Sequence, residues 1–269
     1  QAVLERRWIS VPAELRPLLR TIAVAGRQLD LGVLRTLHSE LDHALHVCAD
    51  AAVLEVNEGT WRFSHDKLRE HILAAIDANE LSRLHGQVAD GVMAIHADDT
   101  AYAGTLAYHC ARAGRPILAA QYADQAGAQA LHRGALTEAV EYLEQALALY
   151  EQTQAPQLTR GRTLAMLVQA YFGLGKMTQA SDAIPRAMAA LGLPRPQSAS
   201  RYLIELARST VRQIDYQISR PIHPLPTGSD ERLRLQSLCA VGAVALEVHV
   251  YESKLLDAAL SMAQLANCA

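Results

Sequence analysis

Near the start of the chain, Leu15, Leu18, Leu19, Ile22 and Ala23 recur at three- and four-residue intervals, the period of a helix that buries one face. Gly26 follows and predicts the end of that helix, because glycine takes the left-handed backbone of a helix C-terminus without a Cβ penalty. The same periodicity predicts a short helix over 31–37 and a third over 40–51. Then the period drops to two. Val53, Leu54 and Val56, the polar turn Asn57-Glu58-Gly59, and Trp61 with Phe63 predict a β-hairpin whose inward face carries the two aromatics. Ser64 is placed to N-cap a further helix running to about residue 76, with Asp66 in its first turn, where a negative charge is favoured.

Three helices, a hairpin and a closing helix over residues 1–80 resemble a winged-helix domain. From Asn79 onward the pattern is helical almost throughout, and one spacing recurs. In the segments Leu106–Ala126, Ala126–Ala146 and Leu167–Ala187, a glycine stands eight residues after the first position and alanines stand thirteen and twenty after it. Small residues let two helix backbones approach closely, and glycine permits the turn between them. This spacing resembles the tetratricopeptide repeat (TPR) and predicts stacked helical hairpins over 81–192. Pro185 interrupts the third segment and is expected to bend or delay its helix. After Pro194 and Pro196, a helix is expected over 198–218 and a proline-rich loop over 219–229. Helices at 230–250 and 253–269 would continue the array as part of 193–269. The expected fold class is therefore mainly α, a winged-helix domain with a small β-hairpin followed by a TPR-like α-superhelix.

Composition narrows the function. Half of the 269 residues are hydrophobic but only 5% are aromatic, so alanine and leucine carry the core, as in close-packed helices. The formal charge of −3 offers no global field for nucleic acid or an anionic membrane. Cys48, Cys110, Cys239 and Cys268 form no CxxC pair and are expected to be reduced, in a cytoplasmic protein. No apolar run of about 18 residues stands out as a membrane span. Gln1 opens the chain without a methionine, and the chain stops inside an expected helix. Both point to a piece of a longer protein.

Motifs for chemistry are few. Gly173-Leu174-Gly175-Lys176-Met177-Thr178 lacks the upstream glycine of a phosphate loop and sits where the repeat wants a turn. His38, Asp42 and His46 share a helical spacing that could offer metal ligands, but a break near Leu37 to Ser39 would split them. No metal site is expected. The third helix carries Glu40, Asp42 and Asp50 and no lysine or arginine, which disfavours a DNA-reading role. No nucleophile motif occurs, and His65 and Asp66, being adjacent, would not face each other on a helix. His85 and His109, on apolar helices, are expected to be buried and hydrogen-bonded. No catalytic role is expected.

One family gathers these features. The residues Pro12-Ala13-Glu14-Leu15-Arg16-Pro17-Leu18-Leu19, Ala23 to Asp30, WRFSHDKLREHIL, Arg83-Leu84-His85, Leu106-Ala107-Tyr108-His109 and Ala113-Gly114 look like the segment that follows the ATPase core in bacterial STAND-type signalling ATPases. The resemblance implies an upstream AAA-like core that binds ATP or ADP, then a winged helix, then a TPR-like sensor for a protein or small-molecule effector. The wider class ends its winged helix with a Met-His-Asp motif whose histidine approaches the β-phosphate of ADP. Ser64-His65-Asp66 is similar, with serine in place of methionine, and this makes His65 and Asp66 the nucleotide-sensing candidates. A freestanding TPR-like interaction scaffold and a transcriptional regulator binding DNA through its winged helix are the alternatives.

Overall fold

The computed structural model describes residues 7–27, 30–38, 40–96, 99–193, 228–251 and 257–262, with scattered residues between 201 and 211. The chain divides into two compact units, Gln1–Ala119 and Ala120–Ala269.

In the first unit, a 3-10 turn at Ala13–Leu15 leads into α1 (Arg16–Ala25), which buries Leu18, Leu19, Ile22 and Ala23 and closes at Gly26. Helix α2 (Leu31–Leu37) is N-capped by Asp30, whose carboxylate accepts from the Val33 N–H at 3.1 Å. Helix α3 (Leu41–Asp50) buries Leu41, Ala44, Leu45 and Cys48. Strands β1 (Leu54–Asn57) and β2 (Thr60–Phe63) pair antiparallel, Leu54 opposite Phe63 and Val56 opposite Trp61. Glu58 and Gly59 take φ of 51° and 77°, the positive pair that a type I′ hairpin turn demands. Leu54 and Phe63 are buried at the base, whereas Val56 nearer the tip is 55% exposed. Trp61 is half-buried, its ring edge-on to His46 at 6.1 Å.

Helix α4 (Asp66–Ala74) follows. Its N-cap is His65, in extended backbone and without a side-chain capping bond, so the cap expected at Ser64 is corrected by one residue. The Ser64 hydroxyl is used elsewhere: it donates to the Ala52 carbonyl at 2.7 Å and ties the end of β2 back to the corner before β1. Helix α5 (Ala78–Ile95), capped by Asp77, packs on α1 and α2, and α6 (Ala103–Arg112) packs on α5. Arg20 on α1 forms two bonds of 3.0 and 2.9 Å with Glu80 on α5. A Cβ on Gly91 would stand 3.0 Å from Val33, so glycine is what lets α5 approach α2.

Helix α7 (Pro116–His132) runs across the division between the units. In the second unit, α8 (Leu136–Gln152), α9 (Gln157–Gly173) and α10 (Met177–Ala190) pack in chain order around Leu143, Leu164, Val168, Ile184 and Leu191. The expected alanines sit at the contacts: Ala139, Ala146, Ala180 and Ala187 are fully buried. Gly114, Gly134 and Gly175 all take φ near +70° at the predicted turns. Pro185 lies inside α10, which begins at Met177. The helix is thus not delayed: the proline removes one donor from the ladder without moving its start. Helix α11 (Ser229–Tyr251) packs on α9 and α10.

Helix α11 contains an 18-residue window of mean hydropathy 1.3, long and apolar enough to cross a membrane by length and composition alone, a test that a packed core helix also passes. Interspersed Gln236, Ser237 and Glu247 hide this from a search for unbroken apolar runs, whereas the average over alanine, valine and leucine recovers it. Leu238, Val241, Ala245 and Val248 form its buried face. Most of the loop expected over 219–229, most of the helix expected over 198–218 and most of the one over 253–269 lie outside the described residues; Ser229 already belongs to α11, and 257–262 are helical.

Candidate functional site

The junction between β2 and α4 opens into a cleft of ≈ 410 Å³ lined by Arg27, Arg62, Phe63, Ser64, His65, Asp66 and Arg69. Both sequence candidates, His65 and Asp66, stand in its wall. Three arginines face one carboxylate, so the cleft is basic in a chain whose net charge is −3.

Each cationic group is delivered by a different element. Arg27 follows the α1 terminus and pairs with Asp66 at 2.9 Å, both side chains largely exposed. Exposed pairs of this kind contribute about 0–1 kcal/mol. Arg62 on β2 is held by Glu55 across the hairpin at 2.9 Å. Arg69, one turn into α4, donates its Nε–H to the Ala23 carbonyl at 2.8 Å. Among the described residues, no carboxylate pairs with Arg69, so its remaining N–H groups are the part of this rim not committed to an acid. Phe63 closes the floor, buried to 6% exposure.

His65 is exposed and sits at the N-terminus of a nine-residue helix. The His65 carbonyl accepts from the Leu68 N–H at 3.0 Å, which anchors the first turn to the buried Leu68. The first N–H groups of a helix lack intrahelical partners and carry the positive end of its dipole. Asp66 stands in that field, and its carboxylate pairs with Arg27. The arrangement has the parts of an oxyanion-binding surface: guanidinium forks, an imidazole and a helix N-terminus.

The other candidates resolve differently. His38 is the C-cap of α2 in extended backbone, so the stripe His38, Asp42 and His46 is split between two elements. The outward face of α3 is Asp42, His43, His46 and Asp50. Gly173 to Met177 form the turn between α9 and α10, with Lys176 as the N-cap of α10. His85 and His109 are buried and bonded to each other, Nδ1 to Nδ1, at 2.9 Å. Burial, reinforced by Arg112, holds both rings down to about 4, and His85 adds to the effect on His109.

Sequence reasoning found His65 but not the arginines. Arg69 was legible, since it follows His65 by one helical turn. Arg27 reaches the cleft only through the packing of α1 against α4. Comparison of the sequence with protein-family models and with curated proteins gives no match.

Proposed function

We propose that this chain is a non-catalytic regulatory region of a STAND-type signalling ATPase. It comprises a winged helix followed by a TPR-like helical array that couples effector binding on the array to the nucleotide state of an ATPase core preceding residue 1. What supports this is the basic cleft at Ser64-His65-Asp66. The only described stretch resembling the nucleotide-sensing motif of that class stands in a cleft ringed by Arg27, Arg62 and Arg69. A pyrophosphate held by the core would meet His65, the α4 N-terminus and the uncommitted N–H groups of Arg69. Asp66, held by Arg27, positions the loop rather than touching the ligand. Chained helical hairpins supply the second half of the reading, since stacked hairpins offer an extended surface for a protein or small-molecule effector.

The test uses the protein with its preceding ATPase core. Bound ADP is quantified after purification, and its release rate is measured for the parent, His65→Ala and Arg69→Ala. A charge-assisted hydrogen bond to phosphate contributes about 1.5–3 kcal/mol, so each variant is expected to release ADP about ten-fold faster or more. Unchanged release in both variants would leave His65 a purely structural junction residue and remove the reading.

A further inference from the structure

The cleft at Ser64-His65-Asp66 is tied to the segment that enters the first unit. Arg7 stands in a helical turn over residues 7–10, ahead of the buried Val11. Its Nη1 donates to the Ala52 carbonyl at 3.2 Å and to the Ser64 hydroxyl at 3.4 Å, across 45 and 57 residues of chain. The Ser64 hydroxyl in turn donates to the same Ala52 carbonyl at 2.7 Å. One nitrogen and two oxygens therefore close a ring in which every pair is bonded. Among the described residues, the Arg7 guanidinium makes no other polar contact.

The ring sits where three pieces of chain meet. Ala52 is held at φ 54° in the corner after α3, where the Val53 N–H returns to the Cys48 carbonyl at 2.9 Å. The Ser64 N–H donates to the Val53 carbonyl at 3.0 Å, which pins Ser64 from its backbone side as well. Ser64 is followed directly by His65, the N-cap of α4, and Arg62 stands two residues before it. Both line the cleft. Whatever fixes Ser64 therefore fixes the junction between two of its walls. The segment does not need Arg7 to be seated: Val11 is buried to 1% exposure, and the Trp8 ring lies under the Arg16 guanidinium at 5.6 Å. What Arg7 adds is a link from that segment to Ser64. Its two bonds lie at the long end of the hydrogen-bond range, so the link is one that can open without unfolding its surroundings.

We propose that Arg7 is a positioning residue for the basic cleft: by bridging Ala52 and Ser64, it couples the segment entering the chain to the orientation of His65 and the first turn of α4. The regulatory consequence rests on the nucleotide reading, in which the residues before Arg7 lead to the ATPase core. A shift of that segment opens the bridge and loosens the junction that faces the nucleotide.

The bridge is tested in the chain itself by amide hydrogen exchange. The reporters are the Ser64 N–H, bonded to Val53, and the Leu68 N–H, bonded to the His65 carbonyl. The Ile22 N–H, inside α1, is the control. In Arg7→Ala, exchange at both reporters is expected to rise about five-fold with Ile22 unchanged, the ratio that one net hydrogen bond is worth. Ser64→Ala is expected to do the same, and adding Arg7→Ala to it to raise exchange less than about two-fold further. In the protein with its preceding core, Arg7→Ala is expected to release ADP about five-fold faster at an unchanged unfolding midpoint, a split that a contact serving stability alone would not produce. Unchanged exchange at Ser64 and Leu68, a rise shared equally by Ile22, or strictly additive effects of Arg7→Ala and Ser64→Ala overturns the bridge. If His65→Ala speeds ADP release and Arg7→Ala does not, the coupling is overturned while the nucleotide reading stands. If Arg7→Ala loosens the junction but neither His65→Ala nor Arg69→Ala alters release, the nucleotide reading falls and the positioning role of Arg7 stands without it.

Discussion

Gln154, between α8 and α9, takes a φ of 53°, a region that L-residues with a Cβ enter at a cost of roughly 1–2 kcal/mol. The reason is a hydrogen bond: the next N–H, of Ala155, returns to the Tyr150 carbonyl at 2.9 Å and satisfies a helix end. The same return closes the helices before Gly114, Gly134, Gly175 and Gly192, where glycine adopts the conformation freely. Ala52 does it as well, at φ 54°, where the Val53 N–H reaches Cys48. Two of these corners therefore use residues that pay a strain the others avoid. Gln154→Gly and Ala52→Gly are each expected to raise stability by about 0.5–1 kcal/mol, and Gly134→Ala to lower it by a similar amount. Urea unfolding midpoints check both signs. The glycine turns were legible in the sequence because their residue type announces the backbone. Gln154 and Ala52 were not, since nothing in a glutamine or an alanine signals positive φ.

At the scale of elements, glycines inside helices mark close crossings. A Cβ on Gly127 of α7 would lie 2.6 Å from Leu143 Cγ and 2.7 Å from its Cδ2. Leu143 is fully buried in α8 and cannot turn away. Alanine would gain about 1 kcal/mol of helix propensity, but overpacking a filled core costs about 1–3 kcal/mol, so Gly127→Ala is expected to destabilise. The signature is non-additivity. Leu143→Ala alone is expected to cost about 2–5 kcal/mol, and the Gly127→Ala, Leu143→Ala double variant less than the sum of the two, since the new methyl enters the space the leucine vacates. Thermal unfolding of the four proteins completes the cycle; strict additivity would show that the crossing is looser than its geometry. The small-residue spacing that exposes such crossings was readable along the chain, as was the hairpin, whose Asn57-Glu58-Gly59 turn dictates its own register. The basic cleft was half readable. His65 and Arg69 share one helix turn, but Arg27 and Arg62 come from a loop and a strand that only tertiary packing assembles. The bridge from Arg7 to Ala52 and Ser64 escaped altogether, because its members are separated by 45 and 57 residues and no local pattern links them.

At the scale of the whole molecule, the His85–His109 pair of the first unit and Asp124 of the second respond to acid in opposite directions. The first unit contains the His85–His109 pair, where one neutral ring donates an Nδ1–H to the other. Both folded-state values lie near 4, against an ordinary value of 6.5, because burial and Arg112 disfavour the charged ring. Between pH 6.5 and about 4 the unfolded chain binds protons that the folded one refuses, so stability falls as pH falls through that window. The loss grows as pH falls from 6.5 toward 5 and belongs to the pair rather than to either ring. The second unit contains Asp124, whose carboxyl burial pushes up despite the Thr163 hydroxyl at 2.6 Å. A raised carboxyl acts in the other direction: stability rises as pH falls through its folded value toward the unfolded one. Acid is therefore expected to weaken the first unit while sparing the second. Trp8 and Trp61, the two tryptophans of the chain, both lie in the first unit, so their fluorescence reports that unit alone, whereas far-ultraviolet circular dichroism sums the helices of both. In urea titrations the two midpoints are expected to separate between pH 7 and pH 5, fluorescence moving to lower urea. Replacing both rings, His85→Leu with His109→Leu, removes the proton-linked loss without leaving an orphaned partner, and should return the fluorescence midpoint toward pH independence. A separation that persists in the double variant would assign the acid sensitivity to other groups of the first unit.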